Sequence, residues 1–123
     1  MFKILVVDDD PQLVEAVKIR LEVNNYKVIT AFNGLEALDK VYKETPDLVL
    51  LDAWLPKMNG WEVCRKIKED ASLKAIKVVF LTARTELSNR LIGIQVLKAD
   101  GYITKPFESE ELIKTIKEVL KDV

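Results

Sequence analysis

A regular alternation of short apolar runs with longer amphipathic stretches constrains the fold of this chain more than any other feature. The apolar runs are rich in aliphatic and β-branched residues and cover positions 3–7, 27–31, 48–52, 77–82 and 101–104. The stretches between them are long enough for helices. Two of these stretches carry apolar stripes at helical spacing, formed by Leu13, Val14, Val17 and Leu21 and by Leu112, Ile116, Val119 and Val123. Strands that alternate with helices predict βαβ units and a parallel sheet with helices on both faces.

The same pattern predicts that one domain takes up the whole chain. The segments 4–7 and 48–51 are entirely apolar, which is typical of strands buried on both faces. No linker, internal repeat or low-complexity segment interrupts the alternation. A hydrophobic content of 49% is enough for one core without disulfide or metal staples. We therefore expect a single doubly wound (βα)5 domain of the α/β class over residues 1–123, with a five-stranded parallel sheet.

Composition excludes several classes of function. Lys and Arg number 19 against 20 Asp and Glu, so the net charge of −1 gives no electrostatic reason for binding nucleic acid or an anionic membrane. The chain has no histidine, which excludes a Ser-His-Asp triad, the usual zinc triad and a phosphohistidine on this chain. Any phosphoryl donor is therefore another molecule.

Location and redox chemistry are constrained in the same way. The chain does not start like a signal peptide, and no apolar run approaches the ~20 residues of a membrane span. We therefore expect a cytoplasmic protein. The single Cys64 cannot form an internal disulfide, and it falls in a helical pattern where a thiol acts as a small hydrophobe.

The polar residues that follow the apolar runs locate the candidate chemistry. In an open parallel sheet, ligands bind beyond the carboxyl ends of the strands. The residues predicted at those ends are Asp8, Asp9, Asp10, Asp52, Thr82 and Lys105. We therefore expect oxygen ligands and one ammonium group at a single edge of the sheet.

The acidic residues of this set point to a metal ion. Asp8, Asp9 and Asp52 would repel one another when brought together unless a cation neutralised them. Oxygen ligands select a hard ion, and an open carboxylate site with room for water and a phosphate oxygen suits Mg²⁺. Helix capping is the alternative for the triplet, because Asp10 followed by Pro11 is a common helix start. A cap needs one Asp, so two remain for another task.

Asp52 ends an apolar run, where a buried carboxylate is costly without a partner or a function. The alternative is a capping residue exposed at the strand edge. The flexible ammonium group of Lys105 could reach this carboxylate, and later a phosphate oxygen. Most lysines are simply solvated, so that interpretation of Lys105 stays open at this point.

Four motifs, in this order, resemble the CheY-like receiver domains of two-component response regulators. They are ILVVDDD, PDLVLLDAWLPKMNG, VVFLTA and GYITKPF, and together they span essentially the whole chain. The resemblance implies a flavodoxin-like sheet with strand order 2-1-3-4-5. It also implies a phosphorelay switch, a signalling domain that catalyses its own phosphorylation and dephosphorylation rather than a free-standing enzyme.

The resemblance assigns a role to each residue of the site. Asp52 is the phosphoacceptor and forms an acyl phosphate. Asp8 and Asp9 form an acidic pair. This pair binds Mg²⁺ together with Asp52 and the backbone carbonyl of Trp54. Lys105 neutralises the phosphoryl oxygens.

The resemblance also implies a switch at the end of the fourth strand. The hydroxyl of Thr82 bonds the phosphate, and the ring of Tyr102 then turns inward to fill the space behind it. The face made by the predicted fourth helix, fifth strand and fifth helix changes as a result and binds a partner. The apolar residues of that fourth helix fall on two sides, with Leu87, Leu91 and Ile94 on one and Ile92 and Val96 on the other. The alternative for Tyr102 is an ordinary half-buried strand aromatic.

Some details extend the resemblance and others depart from it. It assigns Asp10 to the helix cap, and it implies a cis peptide bond between Lys105 and Pro106. Lys98 stands near the place where a Gly commonly ends the fourth helix. Asp100 is present, but Thr115 replaces the Arg that pairs with it in dimers of related receivers. We therefore expect a monomer or a phosphorylation-dependent dimer.

The expected phosphodonor is a histidine kinase or a histidine phosphotransfer protein, and the downstream target or output domain is not named by the sequence. Ile19 is the candidate docking residue, because at ~100° per residue it points away from the buried stripe of the first helix. A solitary exposed aliphatic side chain is the alternative.

Two long side chains are candidates for setting the lifetime of the phosphoryl group. Trp54 lies two residues after Asp52, and Arg84 lies two residues after Thr82. In the family, the residues at these positions flank the approach of water. We expect both to cover the phosphoryl group and slow its hydrolysis, unless they extend into solvent.

A Mg²⁺-dependent phosphohydrolase that works through an aspartyl phosphate is the competing interpretation. Such an enzyme would need a second acid/base carboxylate two residues after Asp52, where Trp54 stands. A receiver that has lost phosphorylation is a third interpretation, and the complete set of acidic, hydroxyl and ammonium groups argues against it.

Overall fold

The computed structural model describes residues 1–83 and 98–122. The strands in these ranges are β1 (Lys3–Val7), β2 (Lys27–Ala31), β3 (Leu48–Asp52), β4 (Lys77–Ala83) and β5 (Gly101–Lys105). The helices are α1 (Pro11–Val23), α2 (Gly34–Glu44), α3 (Gly60–Glu69) and the C-terminal helix (Ser109–Leu120). The residues of the predicted fourth helix, Leu87, Leu91, Ile92, Ile94 and Val96, lie outside the described residues, as do Arg84 and Val123.

The strands form one parallel sheet in the order β2-β1-β3-β4-β5. This confirms the predicted α/β class and the strand order 2-1-3-4-5. The strands β4 and β5 each run one residue further than predicted, to Ala83 and Lys105, because these two residues pair with each other in the ladder.

Successive side chains of each strand point to opposite faces of the sheet and build two apolar cores. On one face, Leu5 and Val7 of β1 pack in a core with α2 and α3. On the other face, Ile4 and Val6 pack in a core with α1 and the C-terminal helix. Burial on both faces explains why residues 4–7 of β1 and 48–51 of β3 are all apolar.

Each of the first three helices begins at a side-chain cap. The carboxylate of Asp10 accepts hydrogen bonds from the backbone amides of Gln12 (3.0 Å) and Leu13 (3.4 Å). Asn33 accepts from the Glu36 amide, and Asn59 from the Glu62 amide. These bonds satisfy helix N–H groups that have no partner within the helix.

At the amino end of the sheet, an ion pair joins α3 to the start of β5. The Lys68 ammonium group donates to Asp100 Oδ2 at 2.8 Å and to the carbonyl oxygen of Ile76 at 2.7 Å. The same Asp100 oxygen accepts from the Val78 amide at 2.8 Å. The Asp100 carboxylate therefore accepts hydrogen bonds from groups of its own chain. Nearby, Lys98 has a φ of 62°, in the left-handed region that usually favours Gly.

Among the described residues, no helix is both long and apolar enough to cross a membrane.

Candidate functional site

The site lies at the carboxyl ends of β1 and β3, which are neighbours in the sheet. Val7 pairs with Leu51 in the parallel ladder, so the residues that follow them, Asp8 and Asp52, stand at the same level. Asp9 comes next along the chain. The sheet register therefore brings residues that are far apart in sequence to one edge, as the strand-end rule predicts.

The three carboxylates form one cluster. Asp8, Asp9 and Asp52 each offer a carboxylate oxygen, and these oxygens lie within 4.8 Å of one another. Asp8 is 1% exposed and Asp52 8% exposed, whereas Asp9 is exposed. An open cleft of about 680 Å³ reaches the cluster, and Pro106 and Phe107 also line it. The cluster is thus accessible from solvent through this cleft.

Lys105 supplies positive charge to the cluster from the end of β5. Its Nζ donates to Asp8 Oδ2 at 2.7 Å and lies 3.5 Å from Asp52 Oδ2. Burial lowers the pKa of this ammonium group, but the bond to Asp8 and the nearby carboxylate charges outweigh that effect, so the pKa is raised overall. Lys105 therefore stays protonated. The Lys105–Pro106 peptide bond is cis, as the resemblance implies.

The charge of Asp52 is only partly compensated by its neighbours. Burial raises the pKa of its carboxyl group above the ordinary value, and the negative charge of Asp8 adds to this. The Trp54 amide, which donates to Asp52 Oδ1 at 3.1 Å, and the charge of Lys105 oppose the rise without cancelling it. A cation beside these oxygens would remove the remaining cost.

The donor set fits a hard divalent cation. Its side-chain donors are the carboxylate oxygens of the cluster, which open to the cleft, so water or a phosphate oxygen can complete the coordination. Mg²⁺ is the ion for which such a partly open oxygen site is typical. Asp8, Asp9 and Asp52 could hold it, and the Trp54 carbonyl belongs to the residue whose amide already bonds Asp52.

Asp10, the third residue of the triplet, lies outside this cluster. Its side chain caps α1, and its amide donates to Asp8 Oδ1 at 3.0 Å. Helix capping was the alternative to a metal cluster for the triplet, and it holds for one of the three residues. Asp8 and Asp9 join the cluster, and Asp10 caps the helix.

Thr82 and Tyr102 lie on the face of the sheet that packs against α2 and α3. Thr82 is 1% exposed, near the carboxyl end of β4, and pairs with Thr104 in the ladder. Tyr102 is half-buried and pairs with Phe80, whose ring centroid is 5.3 Å from its own. Because side chains alternate along strands, Thr82 and Tyr102 are diagonal neighbours on one face.

Other predicted residues lie at the surface or in the core. Ile19 is 54% exposed on α1, and Trp54 is 51% exposed beside the cluster. Arg84 lies outside the described residues. Cys64 is completely buried, and burial raises the pKa of its thiol to about 12, in agreement with its assignment as a small hydrophobe.

Two glycines that support the site were not among the predicted site residues. A Cβ on Gly60 would lie 2.1 Å from the carbonyl oxygen of Asp52, and one on Gly34 would lie 1.7 Å from that of Met58. The sequence carries a signal for both, because Asn-Gly-X-Glu occurs at 33–36 and again at 59–62. Asn and Glu there are ordinary helix-start residues. Gly in the first turn is a poor helix former, and so indicates close contact with another backbone.

Comparison with known proteins agrees with this geometry. The family model of the response regulator receiver domain matches residues 4–117. The alkaline phosphatase synthesis transcriptional regulatory protein PhoP of Bacillus subtilis is 41% identical over 119 residues, which cover 97% of this chain and 48% of that protein. The probable transcriptional regulator ycf27 of Porphyra purpurea is 40% identical over 119 residues, 97% of this chain and 47% of that protein. The chain therefore spans about half the length of these two relatives.

A solved structure shows the same relationship. The chemotaxis response regulator CheY4 of Vibrio cholerae superposes with a TM-score of 0.90 at 33% identity, over 97% of this chain and 98% of that one. A family match across nearly the whole chain, a shared fold and an acidic cluster at the expected strand ends lead to the same conclusion. This chain belongs to the response regulator receiver domain family.

Proposed function

We propose that this receiver domain acts in the cytoplasm as a phosphoacceptor switch of a two-component phosphorelay, with Asp52 as the acceptor. The observation that carries the proposal is the gathering of Asp8, Asp9 and Asp52 within 4.8 Å, with the Lys105 ammonium group bonded to this cluster. A buried acidic cluster with one cation beside it is costly as a purely structural feature. It is suited to bind a divalent cation that neutralises both the carboxylates and the oxygens of an incoming phosphoryl group.

The protein itself has to supply a nucleophile, hold it in place and neutralise charge. The Asp52 carboxylate is the nucleophile that attacks phosphorus, and the Trp54 amide holds one of its oxygens in place. Lys105 can follow the phosphoryl group, because its flexible side chain already lies between Asp8 and Asp52. Positioning and charge neutralisation are the main contributions that phosphoryl transfer needs.

Asp8, Asp9, Asp52 and the Trp54 carbonyl would hold Mg²⁺. The bound ion supplies positive charge for the phosphoryl oxygens. The chain's own part is to keep two of these carboxylates buried and oriented. It does so through the sheet register and through the bonds that Asp8 and Asp52 receive from backbone amides.

The switch would consist of the side chains of Thr82 and Tyr102. A phosphoryl group on Asp52 draws the Thr82 hydroxyl toward it, and Tyr102 then turns toward the vacated space on the same face of the sheet. The expected result is a changed surface at β5 and the C-terminal helix, where a downstream target or an attached output domain binds. A histidine kinase or a histidine phosphotransfer protein is the expected donor. The active form is a monomer or a phosphorylation-dependent dimer.

Mass spectrometry after treatment with acetyl phosphate and Mg²⁺ tests the proposal. We expect one added phosphoryl group per chain, lost on removal of Mg²⁺ and absent in Asp52→Asn. Tandem fragmentation should place the group on Asp52. Labelling of Asp52→Asn at the wild-type level would contradict the assignment.

The same experiment separates the switch from a Mg²⁺-dependent phosphohydrolase. A switch releases acetate in proportion to its own slow dephosphorylation, whereas a hydrolase turns over many substrate molecules with no stable phosphoprotein. The exposed Trp54 two residues after Asp52 offers no carboxylate for acid/base catalysis, which favours the switch.

A further inference from the structure

The start of α2 touches the loop that carries Trp54, and the contact is between backbones. A Cβ on Gly34 would lie 1.7 Å from the Met58 carbonyl oxygen and 2.6 Å from the Met58 carbonyl carbon. The Gly34 amide also donates to the carbonyl oxygen of Pro56 at 3.3 Å. No side-chain rotation can relieve such a clash, so any larger residue at this position must displace the loop or the helix.

The loop of residues 53–59 connects this contact with the acidic cluster. The Met58 amide donates to Pro56, and the Gly60 amide to Ala53, at 2.8 Å each. At the other end, the Trp54 amide donates to Asp52 Oδ1. The loop is thus bonded at both ends and pressed against α2 in the middle, and it has little freedom to absorb a displacement.

We propose that Gly34 is a positioning residue for the metal site: its missing side chain lets the loop of residues 53–59 take the path that presents the Trp54 carbonyl beside Asp52. This inference rests on the proposed Mg²⁺-dependent function. Gly34 acts through the loop, since its amide bonds Pro56 and an added Cβ would meet Met58 first.

The test is a Mg²⁺ titration of the full chain followed by NMR, in which the amide resonances of Asp9 and Trp54 report binding to the folded protein. We expect Gly34→Ala to raise the Kd for Mg²⁺ by about tenfold, the effect typical of losing a group that orients a metal ligand.

Gly101→Ala is the matched control. Its Cβ would meet only side-chain methyl groups, at 3.3 Å from Val119, 3.6 Å from Val79 and 3.9 Å from Thr115. Gly101 begins β5, at the amino end of the sheet and away from the cluster. We expect this variant to keep the wild-type Kd. An equal rise in both variants would mean a general loosening of the fold and would overturn the proposal.

A second measurement uses the wild-type protein, and it tests the positioning role of Gly34 even if Gly34→Ala does not fold. Coupling between two sites is reciprocal, so Mg²⁺ should protect the Gly34 amide as well. With Mg²⁺ at ten times its Kd, we expect exchange of the Gly34 amide hydrogen to slow by about tenfold, because opening of the loop then requires loss of the ion. The Gly101 amide should exchange at an unchanged rate.

The outcomes separate this inference from the function on which it rests. Wild-type protein that shows no saturable Mg²⁺ binding, or binding that survives Asp9→Asn, would contradict the proposed function itself. Wild-type binding with an unchanged Kd in Gly34→Ala would overturn only the positioning role. Unchanged exchange of the Gly34 amide would do the same if that variant does not fold.

Discussion

At the scale of single residues, the buried charge of Asp52 is costly to the folded chain. Its carboxylate is buried and faces Asp8, while Lys105 lies closer to Asp8 than to Asp52. Asp52→Asn removes this charge and leaves the bond between Lys105 and Asp8. We therefore expect the substitution to raise the free energy of unfolding at neutral pH in EDTA, on the order of 1 kcal/mol. Urea denaturation would measure it.

The pH dependence of this gain follows from the raised pKa of Asp52. A carboxyl group whose pKa is higher in the folded chain binds its proton more tightly there, so stability falls as pH rises from the unfolded-state pKa through the folded-state pKa. The advantage of Asp52→Asn should therefore be full above the folded-state pKa and vanish below about pH 4, the ordinary range of Asp. Asp9→Asn, at an exposed carboxylate, should gain less. An advantage of Asp52→Asn that grows on acidification would contradict this account.

Trp54 and Arg84 are predicted to lengthen the life of the phosphoryl group. Neither side chain can act as a base that orients water, whereas an indole beside the cluster can shield it. We expect Trp54→Asn and Arg84→Ala each to speed loss of phosphate from the phosphoprotein in Mg²⁺ by roughly fivefold, the effect of about 1 kcal/mol on a barrier. The double variant should be faster still. Decay that is unchanged or slower in both variants would show that the two side chains extend into solvent.

At the scale of elements, one side of α1 lines the cleft and another leaves apolar side chains exposed. Val14, Val17 and Leu21 are buried, and Ile19 is 54% exposed, as helical spacing predicts. We expect Ile19→Glu to slow phosphotransfer from a phosphohistidine protein by about tenfold, equivalent to about 1.4 kcal/mol of binding energy. Labelling by acetyl phosphate should stay intact.

Leu35→Glu is the control for this substitution, since Leu35 is 50% exposed on α2, which packs on the opposite face of the sheet. It should leave both reactions unchanged. If Ile19→Glu lost both reactions equally, the cause would be damage to the fold or the site. If it lost neither, Ile19 would be an ordinary exposed aliphatic residue.

The ion pair of Lys68 is expected to stabilise the amino end of the sheet. Its ammonium group bonds Asp100 and the carbonyl oxygen of Ile76, and its side chain is only 11% exposed. Lys68→Met should lower the free energy of unfolding by about 2 kcal/mol, because the Asp100 carboxylate loses its charged donor and the Ile76 carbonyl loses its bond to the same ammonium group. Lys77→Met should cost less than about 0.5 kcal/mol, since Lys77 lies 3.9 Å from Asp100 and is more exposed. Equal losses in urea denaturation would contradict this ranking.

At the scale of the whole molecule, much of the fold was predictable from the sequence because buried elements show regular patterns of apolar residues. Strands covered on both faces are apolar through their interiors, as residues 4–7 of β1 and 48–51 of β3 are, and these two strands were predicted with their observed bounds. The strand-end rule then placed Asp8, Asp9 and Asp52 at one edge. The strand order itself came from the family resemblance, since local patterns carry no information on which strands pair.

Close contacts between distant segments were not predictable in the same way. The contact of Gly34 with Met58 depends on how α2 and the β3–α3 loop meet, and it leaves only an Asn-Gly pair as a sequence signal. The bonds of Asp100 to Lys68 and Val78 are likewise tertiary, and charged residues at the surface show no periodicity that would indicate them.

In the proposed switch, a phosphoryl group added to Asp52 changes the surface at β5. Tyr102 is suited to report it, because its ring packs with Phe80 and lies 6.5 Å from the Trp61 ring. The most direct measurement is the NMR spectrum of the Tyr102 ring and of the β5 amides before and after acetyl phosphate with Mg²⁺. We predict large shifts at Tyr102 and along β5 in the wild type, and none in Asp52→Asn. Stoichiometric phosphorylation of Asp52 with shifts confined to residues next to it would contradict the claim.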